Sequence, residues 1–366
     1  MIRLKTYAVR LLCALAVASV AAACDVHEVP DITYGDVDYY LDLNYEGDMP
    51  LHRDVLYSRT SNSPADSASR ANVFKHDIRY LVNVYPAGTS SKSRVATNAA
   101  VKSFVFTDRT DVEKDRRLKL ALPEGSWDIY VWTDYVDNGS TADKYYNMSD
   151  WSSITYPSRD AYEGNNECRE VFRGHTSVDV VHPYRFLDGE KLPSYTATVD
   201  MIRPVAKYQF ISTDVDEFVE RLNMMQSNSG GSRGNIDSRS LSRSDLEGFK
   251  VVFRYPTFMP SVYNMFTDRP TDSWTGMQFE CQMDVTDEGI LLGFDHVFVN
   301  GNESILNVAV DVYDSDGEKI ASTPLVNVPV VRGKYTNVKG EFLTSMSSGG
   351  VSIRPDFDGD YNIELK

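Results

Sequence analysis

Few side chains in this 366-residue sequence are typed and spaced for chemistry. The six histidines, His27, His52, His76, His175, His182 and His296, stand too far apart to form a metal-ligand motif. No glycine-rich phosphate loop, nucleophile elbow or cysteine–histidine motif stands out. Two acidic turns place carboxylates at alternate positions: Asp314, Asp316 and Glu318 in DSDGE, and Asp356, Asp358 and Asp360 in DFDGD. Both lack the roughly twelve-residue spacing with a closing Glu that a calcium loop requires, and hairpin turns account for them. Aromatic rings can stack on sugars. Trp132, on one face of a strand, with Trp151 and Tyr145 in the polar stretch that follows, is the candidate platform; packing of that stretch onto the sheet is the alternative. One position points to covalent chemistry, and it is Cys24.

Cys24 ends an apolar run. Arg3, Lys5 and Arg10 supply positive charge, Leu11 to Val20 form an apolar segment of about ten residues, and Ala21, Ala22 and Ala23 precede the cysteine. Residues 1–23 therefore read as a secretory signal. The ending resembles a bacterial lipobox, in which the cysteine thiol is acylated and becomes the mature N-terminus. Two or three acyl chains on Cys24 would exceed the marginal membrane binding of a single chain. Ordinary cleavage after an A-x-A site, leaving a plain thiol, is the alternative. Residues 24–35, acidic and proline-containing, form a tether. No later apolar run approaches the roughly 18 to 20 residues that span a bilayer.

The remainder must fold around a core. Hydrophobic residues make up 42% and aromatics 11%, enough to exclude overall disorder. A net charge of −16, from 53 acidic against 37 basic residues, excludes a nucleic-acid-wrapping surface, because phosphate contacts need clustered Lys and Arg. Beyond Cys24, only Cys168 and Cys281 remain in the mature chain, which reads as two independent thiols rather than a disulfide scaffold.

Strand patterning dominates. In VDYYLDLNYEG, Val37, Tyr39, Leu41, Leu43 and Tyr45 fall on one face, which predicts a half-buried strand. In RRLKLALPEGSWDIYVWTDY two runs flank Pro123 to Ser126, which predicts a hairpin with Trp127 facing inward and Trp132 outward. Pro204, inside YTATVDMIRPVAKYQFIST, predicts an edge, a bulge or a crossing between sheets. Val215, Phe218, Val219 and Leu222 recur at helical spacing, with Asp214 and Glu217 arranged as a capping box. Many short strands joined by Gly and Pro turns predict an all-β fold of two β-sandwich domains with one or two short helices. The boundaries fall at 36–205 and 206–366, the second containing a flexible Ser/Gly/Arg loop over 226–245.

Several of these stretches together resemble lipoproteins of the Bacteroidales related to fimbrillins and their anchor subunits. They are CDVHEVPD, LNYEGDMPL, LPEGSWDIYVWTDY, RDAYEG, VDMIRPVAKYQFISTDVDEF, VPVVRGKYTNVKGEFLT and FDGDYN. The strongest pieces are Arg203, Pro204, Ala206, Lys207 and Phe210, and Val328, Pro329, Arg332, Thr336 and Gly340. The resemblance implies two transthyretin-like β-sandwiches in tandem, outer-membrane attachment through Cys24, and a role in building or anchoring a fimbria-like polymer. In that family an arginine-specific protease can remove the first strand, whose groove then takes a strand from the next subunit; anchor subunits keep theirs. The resemblance thus marks Val37–Tyr45 as the strand concerned and Arg53, Arg59 and Arg70 as candidate cleavage points. Asp66, Ser67 and Ala68 resemble a short O-glycosylation signal, which makes Ser67 a candidate acceptor.

The expectation is a non-catalytic surface lipoprotein without cofactor. Its expected partners are outer-membrane lipid and other fimbrial subunits joined by β-strand addition, with host or microbial glycans as the alternative ligand class. A glycosidase, needing two converging carboxylates, ranks third.

Overall fold

A computed structural model describes residues 34–46, 76–89, 100–109, 117–160, 162–186, 190–228, 240–286 and 289–344, and the backbone of 351–353 and 360–365. Strands β1 (Val37–Tyr45), β2 (His76–Pro86), β3 (Lys102–Arg109), β4 (Arg117–Leu122), β5 (Gly125–Asp137), β6 (Ile154–Thr155), β7 (Phe172–Val180) and β8 (Thr196–Met201) belong to the first half. They make a three-stranded sheet ordered β4-β1-β8 and a four-stranded sheet ordered β3-β2-β5-β7, with β6 apart. The β1 alternation holds: Val37, Tyr39, Leu41, Leu43 and Tyr45 are all buried.

The predicted hairpin at Pro123 does not form. β4 pairs with β1, while β5 pairs with β2 and β7, so the turn carries the chain from one sheet to the other. Pro123 brings no N–H to a ladder. Gly125, at φ +144°, lies under the Trp127 ring, where a Cβ would sit 2.8 Å from a ring carbon. The Trp127 indole N–H donates to the Pro123 carbonyl at 2.9 Å and locks the corner. The assignment of faces changes as well. β5 is buried on both sides from Asp128 to Val136, and Trp132 is wholly enclosed, whereas Trp127 is partly exposed.

The second sandwich holds β9 (Val205–Ser212), β10 (Lys250–Asn264), β11 (Arg269–Gln282), β12 (Asp284–Thr286), β13 (Gly289–Phe298), β14 (Glu303–Tyr313), β15 (Lys319–Ser322), β16 (Val326–Val331), β17 (Tyr335–Gly340), β18 (Val351–Ile353) and β19 (Asp360–Leu365). One sheet runs β11-β10-β14-β15, with β16 on β14; the other runs β12-β13-β9-β17-β19-β18. Pro204 marks a crossing, since β8 ends in the first sandwich and β9 starts in the second. Asp316 and Gly317 form the expected tight turn between β14 and β15, with Gly317 at φ +82° and the Asp314 carboxylate accepting from the Asp316 and Glu318 amides. β19 runs parallel to β17 and antiparallel to β18, as β1 runs parallel to β8 and antiparallel to β4. The six residues DYNIEL at 360–365 also repeat the order acid, Tyr, any, aliphatic, acid, Leu of DYYLDL at 38–43.

Helix α1 (Val215–Asn228) is the one α-helix among the described residues. Its capping is not the expected box. The Asp214 carboxylate instead accepts from the backbone amides of Leu343 and Thr344 at 3.0 and 2.5 Å and from the Thr344 hydroxyl, pinning a distant turn. Of the loop expected over 226–245, residues 226–228 close α1, residues 229–239 lie outside the described set, and Leu241 bonds back to Asn223 in both directions.

The polar stretch that follows β5 and leads to β7 joins the two sandwiches. Tyr145, Tyr146, Trp151, Ile154, Tyr156 and Tyr162 within it are buried. β6 pairs with β10, adding two residues of the first half to a sheet of the second.

Candidate assembly site

β1 is the middle strand of its sheet. Tyr40, Asp42, Leu43 and Asn44 lie beside Thr196, Thr198, Val199 and Asp200 of β8 in parallel, and Asp38, Tyr40 and Asp42 face Ala121, Lys119 and Arg117 of β4 in antiparallel register. Its inner row enters the core of the first sandwich. Leu41 has no exposed surface, Tyr45 sets its ring edge-on to Phe172 at 4.9 Å, and the Tyr45 hydroxyl lies 3.1 Å from the Thr133 hydroxyl. Burial and the nearby Asp179 carboxylate push the Tyr39 phenol up. Taking β1 away would leave β4 and β8 as two facing edges about 10 Å apart, a slot the width of one strand. Such a slot would offer backbone hydrogen bonds along both edges and alternate pockets for apolar side chains.

The outer row of β1 is charged. Arg117 grips Asp42 through two bonds of 2.6 and 2.8 Å, and Lys119 reaches Asp38 at 2.7 Å. The hydrogen bond from Arg117 holds the Asp42 carboxyl below its ordinary range, and the hydrogen bond to Asp38 raises the Lys119 ammonium. On the other side Asn44 donates to Asp200 at 2.7 Å. Both ends of the strand are held. Tyr34, just ahead of β1, stacks on His182 with ring centres 4.5 Å apart. After β1, the Glu46 amide donates to the Met201 carbonyl at 2.9 Å and the Glu46 carbonyl accepts from Arg203 at 2.5 Å.

Arg203 leads to the seam between the sandwiches. It pairs with Glu170 and lies over the Phe172 ring at 4.4 Å. Arg332 donates to the Arg203 carbonyl at 2.7 Å and forks onto Asp268 at 2.6 and 3.0 Å. Burial pushes the Asp268 carboxyl up, but Arg332 and Arg173 outweigh it and hold the group below its usual range. Deeper in, Asp295 of β13 is fully enclosed and paired with Arg169 from the joining segment. Tyr162 and Tyr255 donate to the same carboxylate at 2.7 and 2.5 Å, and the His296 amide donates at 2.8 Å. The Arg169 guanidinium lies against Tyr162 and Tyr156, 4.1 and 4.7 Å from their ring centres. Burial pushes Asp295 up, opposed by Arg169 and the two phenols.

The candidate glycan platform is corrected by these contacts. Trp132, Trp151 and Tyr145 are 0%, 6% and 7% exposed, so no ring face is open to stack on a sugar. Trp132 packs edge-on against Tyr146, and Tyr145 bonds His76 at 3.0 Å. Packing of the joining segment onto the sheet uses all three. Neither Cys168 nor Cys281 forms a disulfide among the described residues, and Cys281 is pushed up to about 12 by burial and by Asp295. Cys24, Arg53, Arg59, Ser67 and Arg70 lie outside the described residues. Sequence reasoning missed the seam ions Arg169, Asp295, Asp268 and Arg332. Arg332 was visible in a motif, but its partner lies 64 positions away.

The profile of a family of unknown function, DUF6562, matches residues 35–366, nearly all of the chain and the whole of both sandwiches. The chain belongs to that family. No curated protein sequence matches this DUF6562 chain. Among solved structures it is similar to the fimbrial anchor protein Mfa2 from Porphyromonas gingivalis, at 10% identity and a TM-score of 0.38, over 78% of this chain and 82% of that one. It is similar to a candidate adhesin from Bacteroides ovatus at 10% identity and TM-score 0.39, over 79% and 77%. A candidate cell adhesion protein from Bacteroides eggerthii, at 10% identity and TM-score 0.39, is covered over 96% of its length by 92% of this chain.

Proposed function

We propose that this chain is a non-catalytic surface lipoprotein, a structural subunit or anchor of a fimbria-like polymer, held to the outer membrane through Cys24. The observation that carries the reading is the position of β1. It fills the centre of a sheet, yet its next described neighbour in the chain is β2, 31 positions on from Tyr45 at His76, in the other sheet. The intervening segment contains Arg53, Arg59 and Arg70. A strand placed so can be kept, as in an anchor, or cut free and replaced. Among the described residues no helix is long and apolar enough to cross a membrane, and acylation at Cys24 would supply the attachment.

Three measurements test this. Palmitate labelling in a Bacteroidales host should mark the wild-type protein and not a Cys24→Ala variant, which should leave the outer membrane. An unlabelled wild type, or a variant that stays in place, rejects the anchoring. Deleting the gene should remove or shorten surface filaments; unchanged filaments reject the fimbrial role. Treatment of the purified mature protein with an arginine-specific protease decides between anchor and exchanging subunit: retention of β1 by the cut protein under native conditions marks the former.

A further inference from the structure

We infer that Arg117 and Lys119 of β4 set the register in which a strand occupies the β1 slot, by reading carboxylates four residues apart on its outer row. This rests on the reading of β1 as an exchangeable strand. A strand slipped by one residue turns its apolar row to solvent and is rejected by burial alone. A strand slipped by two keeps the apolar row inside, and Leu41 and Leu43 are the same residue type two positions apart. Such a slip keeps the residue type at that one inner position and exchanges Val, Tyr and Leu at the others, so core packing opposes it and the outer row adds to the discrimination.

The native pairing sets Asp42 directly opposite Arg117 and Asp38 diagonal to Lys119. A two-residue slip in one direction puts Tyr40 opposite Arg117, and in the other puts Asn44 there. Either slip sets one acid opposite Lys119, Asp38 in the first and Asp42 in the second, but leaves Arg117 facing an uncharged residue, so two facing ion pairs become one and the Asn44–Asp200 bond at the opposite edge breaks. Exposed pairs contribute little affinity, but charge juxtaposition fixes register and partner choice. The slot thus prefers a segment with alternate apolar residues and acids at the first and fifth positions of the five from Asp38 to Asp42.

Hydrogen exchange on the full mature chain tests this without any polymer. Reversing both cations (Arg117→Glu with Lys119→Glu) should speed exchange of the β1 amides, Glu46 included, about tenfold, while β2 and β5 stay protected. Adding Asp38→Lys with Asp42→Arg should restore protection to within about threefold. A neutral variant, Asp38→Asn with Asp42→Asn, should fall between and keeps the test decisive if the reversed chain fails to fold. Unchanged β1 exchange in the reversed and neutral variants, or no recovery on swapping, overturns the inference. Filament loss or retention on gene deletion bears on the fimbrial reading alone, so the two failures are distinguishable.

Discussion

Arg169 and Asp295 are the residues on which most depends, because both are enclosed and each is the other's counter-ion. Replacing only one leaves a charge in low dielectric. Arg169→Met should therefore destabilise the protein by about 3–5 kcal/mol in denaturant unfolding. Asp268 acts on acid stability. Its folded-state carboxyl is held below the unfolded value, so its contribution is present above the unfolded pKa of about 3.9 and is lost as pH falls through the folded one. Thermal unfolding midpoints should fall with pH below about 4, and Asp268→Asn should lack that part of the drop. The Cys281 thiol, pushed up to about 12, stays protonated near neutrality. Iodoacetamide at pH 8 should leave Cys281 unlabelled in the folded protein and label it on unfolding, as read by peptide mass spectrometry.

At the scale of elements, β1 and its neighbours show how alternation becomes a sheet. Leu41→Ala removes a fully buried side chain and should cost about 2–5 kcal/mol in denaturant unfolding. β7 approaches β8 over Gly174, where a Cβ would meet Val199 and the Met201 sulfur at 2.5 Å. Gly174→Ala should force the sheets apart and destabilise by about 1–3 kcal/mol. The period-2 pattern of β1 was legible because one of its faces meets solvent. β5 was misread because both its faces are covered, and no alternation distinguishes two buried faces. The Pro-Glu-Gly-Ser stretch was legible as a turn, but its partners were not: a turn composition marks a reversal or a corner without saying which strands pair. The Asp214 box failed likewise, since the carboxylate found amides some 130 positions away.

For the whole molecule, the seam ties the two sandwiches together. The joining segment gives β6 to the second half, the Asp295 cluster takes donors from both halves, and Arg203 connects the end of β1 to Arg332. Heat unfolding should show a single calorimetric transition in wild type, and Arg169→Met combined with Arg332→Met should split it in two.

The sequence by itself determined the strand content, the two-sandwich plan, a break in regular pairing at Pro204 and the alternating face of β1, because period-2 burial, proline and turn chemistry are local properties. Tertiary structure alone decided the sheet switch at Gly125, the burial of Trp132, Trp151 and Tyr145, and the Arg169–Asp295 pair. Each of these depends on which surfaces meet. A ring in a polar stretch is open or enclosed according to what packs over it, and an ion pair 126 positions apart has no signature until the chain has folded.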